Sequence, residues 1–161
     1  MKILGIDPGV ATTGYGVIEY TGGHSTAIDY GVITTEPNIA LSERLKSIYS
    51  AVTKILKKFA PDEMAVEEIF FAKNIKTAIM VSEARGVILL AGANYGLKTV
   101  NEYTPLEVKM ALSGYGRAEK PQIQQMVKIL LGLKTIPKPD DMADALAIAI
   151  CHAHNRGRGG R

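Results

Sequence analysis

Asp7 closes the apolar run Ile3-Leu4-Gly5-Ile6, and Glu67 separates Met64-Ala65-Val66 from Ile69-Phe70-Phe71. Asp141 and Asp144 open a segment, residues 145–151, that is apolar on nearly every side. An ionised carboxylate taken out of water costs several kcal/mol even after relaxation. A surface salt bridge of about 0–1 kcal/mol does not offset that, so each of these side chains needs a strong partner. Asp141 and Asp144, three residues apart on one helical turn, can aim at a common point. If Asp7 and Glu67 stand on adjacent strands with that helix laid across them, four carboxylates converge and call for cations. Hard divalent ions with oxygen ligands, Mg²⁺ or Mn²⁺, suit the set, because a single cysteine offers no thiolate cluster for a softer metal. Two such ions about 3.5–4 Å apart suit in-line displacement at a phosphodiester, one activating water and the other stabilising the departing oxygen. The chemistry expected is metal-dependent phosphodiester hydrolysis.

Taken singly, three of the four have an ordinary explanation. Asp7 before Pro8-Gly9 could shape an Asx turn, and Asp140, Asp141 and Asp144 after Pro139 could complement a helix dipole at about 0.3–1 kcal/mol each. Glu67 has neither role. Glu68 points to the opposite face of its strand and is expected to be solvated or paired.

The elements that must position these residues follow from periodicity. Residues 2–6, 15–20 and 25–35 are β-rich runs separated by the turns Asp7-Pro8-Gly9 and Thr21-Gly22-Gly23, which predicts an antiparallel meander. Leu41, Leu45, Ile48, Val52, Ile55 and Leu56 recur at helical spacing up to the break at Ala60-Pro61. Residues 63–70 read as a buried strand, 75–95 as a long helix and 98–100 as a short last strand. Helical segments follow near 106–112, 121–131 and 139–153. Strands first, then alternation, then helices predicts one α/β domain with a mixed sheet covered on both faces. The domain is expected over residues 1–154, with 155–161 a basic tail.

Length and composition bound the alternatives. The 161 residues, 47% hydrophobic and 22% charged, suit one globular domain. The net charge of +3 comes from the three arginines of residues 155–161; without them acidic and basic side chains balance. No apolar run of about 18 residues occurs, residues 1–6 leave no room for a signal peptide, and one cysteine excludes an internal disulfide. No membrane association is expected, and the expected location is the cytoplasm.

Four blocks carry a resemblance. They are Ile6-Asp7-Pro8-Gly9 with Thr13-Gly14-Tyr15-Gly16-Val17, the stretch 65–74 around Glu67, Glu83-Ala84-Arg85-Gly86, and the stretch 141–149 with His152. In order, and across essentially the whole chain, they resemble the RuvC family of bacterial Holliday junction resolvases. The resemblance implies a ribonuclease H-like fold with a five-stranded mixed sheet and helices on both faces. It also implies a homodimer, two Mg²⁺ per subunit with Mn²⁺ able to substitute, and paired symmetric nicks across four-way junction DNA in recombination and repair. RuvA and RuvB are the implied partners. By position, Asp7, Glu67, Asp141 and Asp144 match the family's metal-binding acidic residues, although some relatives carry histidine where this chain has Asp141. Lys109 and Lys120 match basic residues of the family's DNA handling, and Phe70 matches an aromatic residue that contacts bases near the junction centre.

The residues themselves add to this unequally. Arg117 and Lys120 adjoin the glycine-rich loop 114–116 and could close over a phosphate. Lys109 has an ion pair with Glu107 as a competing role. Phe70 or Phe71 stacking on a base would contribute about 1–3 kcal/mol without base preference; Tyr115 is a weaker stacking candidate. His152 and His154 are expected to complement a helix terminus, and Cys151 to fill the core. Gly86 and Gly92 in the long helix permit close approach of another helix, so part of it is expected at the dimer contact, with packing on the sheet as the competitor. Three other functions fit parts of the sequence: a nuclease for RNA–DNA hybrids or linear duplexes, a non-catalytic DNA-binding dimer, and an ATP-binding protein. The last follows from residues 7–14, which resemble the phosphate turn of sugar kinases and actin-like ATPases, but the chain has length for one domain only and no P-loop lysine motif.

Overall fold

The computed structural model describes residues 1–69 and 74–156. Its order is β1 (Lys2–Asp7), β2 (Thr12–Thr21), β3 (His24–Thr34), α1 (Leu41–Phe59), β4 (Glu63–Glu67), α2 (Ile75–Tyr95), β5 (Val100–Tyr103), α3 (Pro105–Ser113), α4 (Lys120–Leu130) and α5 (Asp140–Asn155). The strands form one sheet in the order β3-β2-β1-β4-β5. β1–β3 are an antiparallel meander, as their short connections predict, and β4 and β5 add in parallel beyond β1. The five-stranded mixed sheet expected from the sequence is present, with helices on both faces.

Alternation along the strands sorts the two cores. Leu4, Ile6, Met64 and Val66 face α1 and α2, whereas Ile3 and Ala65 face α3, α4 and α5. Gly5 and Asp7 share the face of Ile3, so Asp7 emerges on the α5 side at the carboxyl end of β1. Glu67 does the same at the carboxyl end of β4, two positions beyond Ala65. α5 is buried from Ala145 through Ala153, which is why its composition is apolar all round. α1 buries only Arg44, Ile48, Val52 and Leu56, one row at four-residue steps, and ends where Ala60 takes a left-handed φ of 46° before Pro61.

Three strands differ from the sequence expectation by more than one residue. β2 begins at Thr12 rather than 15, because Asp7 pairs with Gly14 and extends the ladder. β4 stops at Glu67, where its pairing with Tyr103 ends, although the apolar pattern runs on through Ile69. β5 lies at Val100–Tyr103 and not at 98–100, since parallel pairing with Met64–Glu67 selects it. The last helix runs to Asn155, and Arg156 folds back onto Glu63. Phe70, Phe71 and residues 157–161 lie outside the described residues. Among the described residues, no helix is long and apolar enough to cross a membrane.

Candidate active site

Glycines bring α5 down onto the sheet. Gly5 and Gly16 pair across β1 and β2, and Gly14 pairs with Asp7. A Cβ on Gly5 would overlap the Ala145 carbonyl oxygen, one on Gly14 the Asp141 backbone, and one on Gly16 would sit 2.7 Å from Leu146 Cδ2. Glycine inside a strand marks such close backbone approach. With no side chain between them, the first turn of α5 lies directly over the end of β1. Below it, the buried Thr13 hydroxyl donates to the Gly9 carbonyl oxygen at 2.5 Å and fixes the turn that follows Asp7.

The acidic residues are electrostatic neighbours as a result. Burial pushes the Asp7 carboxyl up to about 8, helped by the charges of Glu67, Asp144 and Asp141. Glu67 is pushed up to about 7 by burial and by Asp144, while a hydrogen bond donated by Asp7 works the other way. Asp144 is raised by burial, against the pull of Lys120. Asp140, in contrast, is held below its ordinary value, chiefly by Lys138 at 2.6 Å.

Lys120 supplies positive charge here. Its Nζ stands 2.8 Å from Asp144 Oδ2 and 3.6 Å from Asp140 Oδ2. Burial opposes its charge, but these carboxylates and Asp7 outweigh that and raise its pKa. Lys120 and Lys109 line a cleft of about 250 Å³ together with Glu67, Asp144 and Pro105. The competing partner of Lys109 is engaged elsewhere: Glu107 closes a capping box on Thr104, accepting from its backbone N–H at 2.8 Å. Among the described residues Lys109 forms no ion pair. Arg117 is exposed in the loop before α4 and lies outside the cleft lining.

Among the described residues, no three His, Cys, Asp or Glu side chains stand close enough together to hold a metal ion. The donor set nevertheless fits a hard divalent cation. Its groups are carboxylate oxygens, and burial and mutual repulsion keep Asp7 and Glu67 partly protonated near neutrality; a bound cation relieves the same repulsion that a proton relieves.

A family model described as crossover junction endodeoxyribonuclease RuvC matches residues 3–152. The chain belongs to the RuvC family. It is 60% identical over 153 residues to the crossover junction endodeoxyribonuclease RuvC of Desulforamulus reducens, covering 95% of this chain and 93% of the relative. Identity to that of Alkaliphilus oremlandii is 57% over 154 residues, covering 96% and 93%. The structure of T. thermophilus RuvC in complex with Holliday junction substrate superposes with a TM-score of 0.90 at 36% identity, covering 99% of this chain and 97% of that one. The fold is therefore ribonuclease H-like, as the RuvC resemblance implied.

Sequence reasoning missed two parts of this arrangement. Gly5, Gly14 and Gly16 had a legible signal, glycine at period two within strands. His152 was expected to complement a helix terminus, but it is buried and hydrogen-bonded to Tyr103 and Glu63, 49 and 89 residues away in sequence. No local pattern announces such partners.

Proposed function

We propose that this protein is an endonuclease that resolves four-way DNA junctions by two symmetric metal-dependent nicks in recombination and repair. The observation that carries the reading is that the first turn of α5, with Asp141 and Asp144, lies over the strand ends that carry Asp7 and Glu67, in a chain of the RuvC family. Asp7, Glu67, Asp141 and Asp144 would hold two Mg²⁺ per subunit, or Mn²⁺ in their place, which supply Lewis-acid activation of the phosphodiester and of the attacking water. Lys109 and Lys120 line the cleft beside them and bind the phosphates of the strand to be cut. When a phosphate arrives, Lys120 can exchange its contact with Asp144 for one with the DNA. Arg117 adds charge at the exposed loop, and Phe70 stacks on bases at the junction centre.

The protein acts as a homodimer, so that two like sites reach two strands. The exposed stripe of α2, with Ile75, Ile79 and Leu90 outward and, among the described residues, nothing near a Cβ placed on Gly86, supports that contact. Gly92 serves the other face of α2, against Val100 and Met64. Leu90→Glu is expected to shift the dimer to monomer in analytical ultracentrifugation, while circular dichroism stays that of the folded chain. RuvA and RuvB are the partners and the cytoplasm the location in this reading.

A synthetic four-way junction, a linear duplex and an RNA–DNA hybrid, each at equal concentration with and without Mg²⁺, test the function. Paired nicks in the junction alone, dependent on Mg²⁺, are expected. Preferential cutting of the hybrid or the linear duplex would reject junction resolution.

A further inference from the structure

The far end of α5 carries a hydrogen-bonded chain that the cleavage chemistry does not use. His152, 4% exposed, has both ring nitrogens engaged: Nδ1 lies 2.8 Å from the Tyr103 hydroxyl and Nε2 2.6 Å from Glu63 Oε2. Arg156, one turn later, donates to the same carboxylate from Nη2 at 2.7 Å and Nε at 2.8 Å. Burial pushes the Tyr103 hydroxyl up to about 12, so it stays protonated and donates to Nδ1. Burial opposes the Glu63 charge, but Arg156 and His152 outweigh it and hold the carboxyl below its ordinary value. Glu63 therefore accepts from Nε2–H, which leaves Nδ1 to accept from the Tyr103 hydroxyl.

We infer that the Tyr103–His152–Glu63 chain is a register clamp that positions the acidic residues for cleavage by fixing where α5 stands along β4. The inference rests on the proposed function. Glu63 and Glu67 lie at opposite ends of β4, four residues and about 13 Å apart on the face toward α5. Asp144 and His152 lie eight residues apart on α5, about 12 Å at helical rise. The two spans match, so a tie between His152 and Glu63 at one end sets Asp144 beside Glu67 at the other.

Ala145 and Ala149 lie on Gly5, and small residues fix how closely two backbones approach better than they fix sliding along the axis. A slip of one residue, about 1.5 Å, breaks both bonds to His152. Tyr103 closes the frame from the third side. It pairs with Glu67 in the sheet, and its carbonyl oxygen accepts from Glu68 N–H at 2.8 Å. Strand end, neighbouring strand and helix are thus joined through three side chains, and none of the three belongs to the acidic group.

The test titrates metal-free wild type and the variants Tyr103→Phe, Glu63→Ala and Glu63→Gln with Mn²⁺, read by electron paramagnetic resonance. Melting temperature, junction KM and kcat are measured in parallel. The clamp predicts that Tyr103→Phe and Glu63→Ala weaken Mn²⁺ binding and lower kcat by about tenfold or more, in the range for partners that orient metal ligands, with KM for the junction unchanged. Glu63→Gln, which keeps an acceptor for Nε2–H, restores most of both. Variants that melt at lower temperature yet bind Mn²⁺ and turn over like wild type overturn the clamp and leave a purely structural network. If Glu63→Ala does not fold, Tyr103→Phe, which keeps the ring, decides alone. A wild type that binds no Mn²⁺ and cuts no junction overturns instead the function on which the inference rests.

Discussion

Asp7→Asn is expected to bind a four-way junction but to cut it at less than about one hundredth of the wild-type rate, and to melt at a higher temperature than wild type when no divalent cation is present. Loss of a residue that merely supports a metal ligand costs about 10–100-fold, so loss of Asp7 as a proposed ligand is expected to exceed that range. The gain in stability has a separate origin. Asp7 has an ordinary value of 3.8 and titrates near 8 in the folded protein, because burial and the charges of Glu67, Asp144 and Asp141 disfavour its ionised form. Between those values the folded state keeps a proton that the unfolded state has lost, so stability falls as pH rises through the window and levels off above about 8. Asparagine carries no charge to lose, yet its amide can still donate to Glu67. The advantage of Asp7→Asn should therefore be absent near pH 4 and grow to its maximum by pH 8.

Mg²⁺ should erase that advantage by stabilising wild type alone. Protons and cations compete for the same oxygens, so at sub-saturating Mg²⁺ the cleavage rate should climb as pH rises through the range where Asp7 and Glu67 ionise. Calorimetric melting at pH 4, 6 and 8, with and without Mg²⁺, reads the stability difference, and single-turnover cleavage reads the rate. A variant no more stable than wild type at pH 8 without Mg²⁺ would remove the buried repulsion from the account, and one that cuts normally would remove Asp7 from the site.

The acidic residues drew attention because Asp7 and Glu67 break apolar runs and Asp141 and Asp144 head one, and a carboxylate in such a place is costly unless it has a partner. The meander was legible for a local reason too, since short turns between β-rich runs leave few other pairings. Errors gathered where distant chain decides. Ile69 continues the pattern of β4, but the strand ends where Tyr103 ceases to pair with it. Asn101 and Glu102 look like poor strand residues, yet their register against Ala65 and Val66 makes them β5. The Glu63–His152 contact spans 89 residues and needs β4 and α5 already packed. Propensity and periodicity act over a few residues; parallel pairing and helix-on-sheet registry do not.

Gly14→Ala is expected to lower junction cleavage by about a hundredfold at a stability cost of about 1–3 kcal/mol, the usual range for overpacking a tight contact. The added methyl would overlap the Asp141 backbone and stand 3.1 Å from its Cβ, so the first turn of α5 must lift or tilt. A displacement near 1 Å at a catalytic group costs about 10²-fold in rate. Gly16→Ala supplies the comparison. Its methyl meets mainly the Leu146 side chain, one turn deeper, which can yield in part by a change of rotamer. The two variants should lose similar stability in urea melts, while Gly14→Ala loses much more activity because its clash falls on a residue of the acidic group itself. Equal rates for both would mean that the helix moves as one body and that local contact at Gly14 does not place Asp141. A wild-type rate for Gly14→Ala would go further and show that close approach of α5 to β2 is not what assembles the site.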